Sequence, residues 1–335
     1  MLTWRMRLTL VLPGLLWPRQ ALIDSTFDLD LPALARLLGR GRRSLGAGVG
    51  LESWLAQRLG FSGWPAAAWR ASAAGLEAQH ALCLDAAHLS LGQSAMSLDP
   101  VGLDADESAS LAADLAPLFA DLGHWHEAAP GQWLLRLASP PAFATTPLPQ
   151  ALGRDIKSLL PRGEAARPWQ KRLMEAEMTL HGHAVNRARQ GRRLPEANTL
   201  WLWGEGALEA PIHAPFSHML RENAILRGFA AGYGMEVCAD LDALPTGPGH
   251  GLAIADELHV PTQRHDALAW REALLGLEQD WFAPLLTALD NHRLDALRLV
   301  ALGDHARLEV EITAGGAWKF WRKPLPIARL AEELP

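Results

Sequence analysis

Short stretches of nearly continuous apolar residues punctuate the chain: Leu8–Leu12, Thr199–Trp203, Met235–Cys238, Leu252–Ala255 and Leu297–Leu302. Each has the length of a strand, and unbroken apolarity is what a strand covered on both faces requires. Elsewhere apolar residues recur at helical spacing, over Leu31–Leu38, Leu51–Leu59, Phe216–Tyr233 and Asp266–Leu289. Buried strands interleaved with amphipathic helices predict an α/β fold, with a mostly parallel sheet between helical layers. Ligands of such sheets sit beyond the carboxyl ends of the strands, so the residues directly after each run are where chemistry is expected.

The stretch from Pro65 to Pro168 has a different texture. It holds short patterns, a helix of the Asp104–Leu122 type, an extended Gln132–Leu137 run and a proline-rich tract from Pro140 to Pro147. It reads as a smaller α+β domain, residues 65–168, inserted into a core domain made of residues 1–64 and 169–335. A long helical segment, Trp169–Gln190, is expected to lead back to the core. Near the end, Arg307–Thr313 and Ala317–Trp321 flank Ala314-Gly315-Gly316, a hairpin signal.

Composition narrows the function classes. A chain of 335 residues, 49% hydrophobic and 20% charged, is long enough to bury a sizeable core and too apolar to be disordered. A net charge of −6 argues against a general nucleic-acid binder, which needs a basic face. No window approaches the ~18 uninterrupted apolar residues of a membrane span. Arg5, Arg7 and Leu8–Leu16 imitate the start of a secretory signal. However, Pro13-Gly14 interrupts the run and Trp17-Pro18-Arg19 stands where a small-residue cleavage site would be, so Leu8–Leu12 is taken as a strand. Cys83 and Cys238 lie too far apart for a disulfide framework or zinc cluster, and are read as buried thiols in a cytoplasmic protein. Fourteen tryptophans accompany a single tyrosine; most fall in amphipathic stretches, where core packing accounts for them.

Four strand ends are candidates. Leu12 is followed by Pro13-Gly14, Trp203 by Gly204-Glu205-Gly206, Ala255 by Asp256, Glu257 and His259 and then His265-Asp266, and Leu302 by Gly303-Asp304-His305. A carboxylate and an imidazole leaving a buried strand together, as Asp304 and His305 do, suit a divalent metal, or else a capped turn in solvent. Asp266 also fits an ordinary helix N-cap. In His181–Arg189, histidine, asparagine and arginines could hold a phosphate or carboxylate, or could equally form a solvated helix end. No Gly-x-Ser-x-Gly elbow is present.

The run Leu152-Gly153-Arg154-Asp155-Ile156, Leu160-Pro161-Arg162-Gly163, His183-Ala184-Val185-Asn186 and Ala197-Asn198-Thr199-Leu200-Trp201-Leu202-Trp203-Gly204-Glu205-Gly206 resembles the archaeal-type cofactor-independent phosphoglycerate mutases of the alkaline-phosphatase superfamily. Leu277–Leu286, Val300–His305 and Pro324-Leu325-Pro326 extend the resemblance. It implies an alkaline-phosphatase-like α/β/α sandwich with an inserted α+β domain. It also implies two divalent ions (manganese, magnesium or zinc) and a serine that carries the phosphoryl group.

Carried onto this chain, the family pattern puts metal ligands at Asp304, His305 and His265, the nucleophile near Ser53, and substrate contacts at Asp155, Asn186, Arg189 and Asn198. It also puts Pro13, Pro261 and Phe320 where further metal ligands belong. The resemblance therefore implies a phosphoglycerate-mutase-like protein with an incomplete metal centre, inactive or weakly active, binding a phosphorylated or anionic metabolite or a protein partner. The alternatives are an active phosphotransfer enzyme with a rearranged site, drawing on Asp256 or His259, and an interaction module with a tryptophan-rich surface.

Overall fold

The computed structural model describes residues 6–334 apart from 62, 78–79, 93–95, 207–214, 222–229, 231–233 and 318–320. The expected helix over Phe216–Tyr233 is not formed at its start, where His218–Leu220 is a strand, and most of the remainder lies outside the described residues. In chain order the described strands are β1 (Met6–Pro13), β2 (Arg42–Ala47), β3 (Ala81–Leu91), β4 (Met96–Pro100), β5 (His124–Ala129), β6 (Gln132–Arg136), β7 (Thr199–Trp203), β8 (His218–Leu220), β9 (Glu236–Cys238), β10 (Gly249–Ile254), β11 (Ala296–Leu302) and β12 (Ala306–Thr313). They form two sheets in two compact units, Met1–Trp54 with His213–Pro335, and Leu55–Ile212.

The first unit is built on a seven-stranded sheet of order β2-β12-β11-β1-β10-β8-β9. β1 lies parallel between β10 and β11, with Leu10 opposite both Ala253 and Leu299. Leu8, Leu10 and Leu12 turn to one face and pack with Leu34 and Leu37 of the helix Pro32–Arg40 and with Trp270, Leu274 and Leu285. Thr9 and Val11 turn to the other face and are equally buried. This two-sided burial is why β1 reads as continuous apolarity. β12 and β2 are antiparallel additions that make β2 an edge. The residues over Asp266–Leu289 form one helical column, Ala267–Leu277 and Ala283–Asp290, joined by a π-helical turn at Glu278–Phe282. Asp266 caps it, accepting from Ala269 N at 3.0 Å, as the sequence suggested. Glu278 reaches across to the first turn of Pro32–Arg40, where its carboxylate accepts from Ala33 N (2.6 Å) and Leu34 N (3.1 Å).

The second unit holds the antiparallel sheet β4-β3-β6-β5, with β7 also paired to β3. Leu82, Leu84, Phe119, Trp133, Leu135, Leu180 and Leu200 form its core. Here the structure revises three expectations. β7 belongs to this antiparallel sheet and not to the parallel one, so the second unit spans Leu55–Ile212, wider than residues 65–168. The Trp169–Gln190 segment is two helices, Arg167–Leu180 and Ala184–Gly191, broken at Gly182 (φ +70°), and Ala176 and Leu180 of the first pack in this unit's core with Val185 of the second against it. The terminal hairpin is also displaced. Ala314–Ala317 is a helical turn, most of the expected second strand Ala317–Trp321 lies outside the described residues, and β12 forms its hairpin with β11, through Gly303-Asp304-His305.

Of the described tryptophans, nine are buried and only Trp321 is largely exposed, at 67%. They serve cores, which disfavours a docking surface built from them. No described helix is long and apolar enough to cross a membrane.

Candidate functional site

Beyond the carboxyl ends of β1 and β11 the backbone is crowded. Pro13 closes β1 opposite Leu302, and Gly14 follows at φ +81° with its N–H on Leu302 O at 3.0 Å. A Cβ on Gly14 would lie 2.6 Å from Thr262 Oγ1 and 2.7 Å from Leu258 O, so only glycine fits this turn. Gly303 is pressed in the same way onto Leu16 O (2.3 Å to an ideal Cβ) and Gly48 onto Asp304 O (2.1 Å).

The polar groups here are neutral and engaged with one another. Gly14 O accepts from Trp270 Nε1 at 2.8 Å. Thr262 Oγ1 accepts from Trp17 Nε1 at 2.8 Å, and lies 2.8 Å from Gly14 O and 2.7 Å from Leu258 O, with one proton to give. The Trp17 and Trp270 rings pack against each other, centroids 5.0 Å apart.

The metal candidates do not form a cage around this point. Asp304 and His305 are exposed in the turn between β11 and β12. His265 is exposed and left-handed (φ +53°), closing the short helix His259–Gln263. Asp256 is exposed and His259 half-buried. Among the described residues no three histidine, cysteine, aspartate or glutamate side chains converge as a metal would require. Two divalent ions therefore do not fit the described donor set, since Pro13 has no donor and the Gly14 carbonyl is already bonded. Phe320 lies outside the described residues. Ser53 is exposed on the helix Leu51–Leu59, next to Glu52, which is buried.

The expected substrate contacts lie in the second unit, where each has a bracing partner. Asn186 is buried, donates to Leu180 O (3.0 Å) and Ala197 O (2.9 Å), and accepts from Ala197 N (2.9 Å). Asn198 exchanges two hydrogen bonds with the Leu89 backbone. Arg189 is buried, donating to Pro195 O (2.7 Å) and pairing with Glu107 (2.5 Å), which Arg192 also meets. Asp155 accepts from Lys157 N and Met96 N, both at 3.3 Å. A loop side chain satisfied by nearby backbone fixes the turn it sits in.

A charged cluster that sequence reasoning passed over sits at the β3–β7 pairing. Arg70 forms a two-pronged ion pair with the buried Asp85, whose Oδ2 also accepts from Trp203 Nε1 at 2.8 Å. The guanidinium stacks over Trp203, 5.6 Å from the ring centroid. The signal was Asp85 itself, one carboxylate inside the apolar run Ala81–Ala87, because a buried charge needs a partner. Gly204 and Gly206 (φ +83° and +139°) complete the strand end, and Glu205 between them accepts from Thr145 N at 2.8 Å. Cys83 lies beneath, and burial pushes its thiol up to about 12. A disulfide reagent such as DTNB is expected to leave Cys83 unmodified in the folded protein and to label it on unfolding in urea; rapid native labelling would contradict this burial.

No family profile matches the chain. Over 95 residues it is 34% identical to the 2,3-bisphosphoglycerate-independent phosphoglycerate mutase of Methanothrix thermoacetophila, a match spanning 28% of this chain and 24% of that protein. Among solved structures, the PH0037 protein of Pyrococcus horikoshii shares the fold, with a TM-score of 0.54 at 13% identity over 93% of this chain and 88% of that one. The cofactor-independent phosphoglycerate mutase of Thermoplasma acidophilum aligns over 98% of both chains, at 15% identity and a TM-score of 0.45.

Proposed function

We propose that this phosphoglycerate-mutase-like chain has given up two-metal phosphoryl transfer and acts by binding, with a phosphorylated or anionic metabolite or a protein partner as its ligand. One observation carries the proposal. At the carboxyl end of the central strand, Pro13 and the neutral Trp17–Thr262–Trp270 network occupy the place where the family resemblance puts a metal-binding aspartate. Phosphoryl transfer of this kind relies on cations to neutralise charge on the moving group, and cations rely on anionic ligands to hold them. Proline, threonine and indole supply no charge. The commitment of Asn186, Asn198 and Arg189 to the fold of the second unit supports the same reading.

The purified chain, loaded with manganese, magnesium or zinc and then gel-filtered, is expected to retain less than one equivalent of metal. It is also expected to interconvert 2- and 3-phosphoglycerate no faster than a buffer blank. Replacing Asp304 and His305 together by alanine is expected to leave the metal content unchanged. Two retained ions with turnover, or an ion lost in the double variant, would overturn the proposal and favour a working enzyme with a rearranged centre.

A further inference from the structure

Away from the β1 end, a cleft of about 560 Å³ opens where β8 and β9 stop. The registers put Leu220, the last residue of β8, level with Leu10 in the middle of β1, so these two strands end half-way along the sheet. The π-helical turn Glu278–Phe282 and the following helix complete the cleft. Its size is that of a small-metabolite site.

Three features of the lining are unusual together. Arg221 leaves β8 at φ +59°, a conformation glycine would adopt without strain. The other described non-glycine residues at positive φ, Arg193, His265 and His292, each follow the end of a helix, where such a turn is ordinary; Arg221 follows a strand. Its guanidinium lies 4.3 Å from the centroid of the Trp281 ring and has no carboxylate partner among the described residues. Trp281 is 2% exposed, and its indole N–H finds no acceptor among the described residues.

The second feature is the turn that carries Trp281. A π turn inside a helix is uncommon and recurs at functional sites. Here it divides its side chains: Glu278 caps the helix Pro32–Arg40, while Gln279 and Asp280 line the cleft, both exposed. The third is charge. Arg293 and Asp242 pair with each other at one side, and Asp240 caps Ala243 N. That leaves a cation, Arg221, and two carboxylates, Asp240 and Asp280, on the cleft with no ion pair among the described residues, and Asp280 alone of the two accepts no backbone hydrogen bond there.

Opposite charges that line one partly apolar cleft without an ion-pair partner among the described residues complement a ligand that carries both. We propose that this cleft binds a small zwitterionic metabolite, with its carboxylate or phosphate held by the Arg221 fork and its ammonium by Asp280. The site is independent of whether the chain turns over phosphoglycerate.

Isothermal titration of the full chain with four probes tests it. Phosphoethanolamine and γ-aminobutyrate each carry both charges; inorganic phosphate and ethanolamine carry one. At least one zwitterion is expected to bind about tenfold or more tighter than either single-charge probe, and which one binds identifies the anionic group. Arg221→Gln is expected to weaken that zwitterion about tenfold. Asp280→Asn is expected to reduce it to the affinity of its anionic half, with both variants melting as the parent does. Binding of neither zwitterion, a single-charge probe binding as tightly as the better zwitterion, or affinities unmoved by the two substitutions would overturn the proposal.

Discussion

Asp85→Ala is expected to lower the unfolding free energy of the second unit by about 3–5 kcal/mol, because it strands the Arg70 guanidinium in a mostly buried site. It also removes the acceptor of the Trp203 indole. The side chains of Arg70 and Asp85 are only 18% and 5% exposed, so water cannot replace what is lost. Urea unfolding followed by far-UV circular dichroism measures the effect as a lower midpoint at unchanged slope. The double change Arg70→Met with Asp85→Leu is expected to recover much of the loss, because it removes both charges and fills the space with apolar atoms. A shift below about 1 kcal/mol for Asp85→Ala would place the pair with exposed ion pairs, which contribute little.

Trp270→Ala is expected to cost the first unit about 3–5 kcal/mol. The ring is fully buried, packs on Trp17 and donates to Gly14 O, so truncation opens a cavity under the turn that closes β1. Two milder changes separate packing from polarity. Trp270→Phe keeps an aromatic ring but leaves the Gly14 carbonyl short of a donor, at about 1–2 kcal/mol. Thr262→Val preserves shape and leaves the buried Trp17 N–H without its acceptor, at about 1–3 kcal/mol. If Thr262→Val proved silent, the indoles would be ordinary core residues and the case for a neutral network at the β1 end would lose its main support.

The parallel core was legible because its strands are covered on both faces. Leu8–Leu12, Leu252–Ala255 and Leu297–Leu302 each stand out as apolar runs and each is a central strand. The same criterion misassigned Thr199–Trp203. Continuous apolarity reports burial on two faces and carries nothing about which sheet supplies the neighbours. β2 was missed for the opposite reason: Arg42-Arg43-Ser44-Leu45-Gly46-Ala47 is an exposed edge with little apolar pattern to detect.

The site was less legible than the fold. Asp304, His305 and His265 were picked as metal-friendly residue types, but residue type at a strand end does not fix convergence in space. Asn186, Arg189 and Asn198 are placed as substrate contacts by the family resemblance, and the hydrogen-bonding atoms that suit that role are the ones that brace loops here. The Trp17–Thr262 and Trp270–Gly14 hydrogen bonds join residues 245 and 256 positions apart, and nothing local announces them.

The register of β1 has a consequence for biosynthesis. Met6 pairs with Gly249, and Arg7 with both His250 and Ala296, so the innermost strand emerges from the ribosome roughly 240 residues ahead of its first partner in the parallel sheet. β3 to β6 pair with near neighbours and can close while β1 waits. A greasy nascent segment must be shielded through most of translation, and a message cut short before β11 would release a product with its centre half assembled and prone to clump.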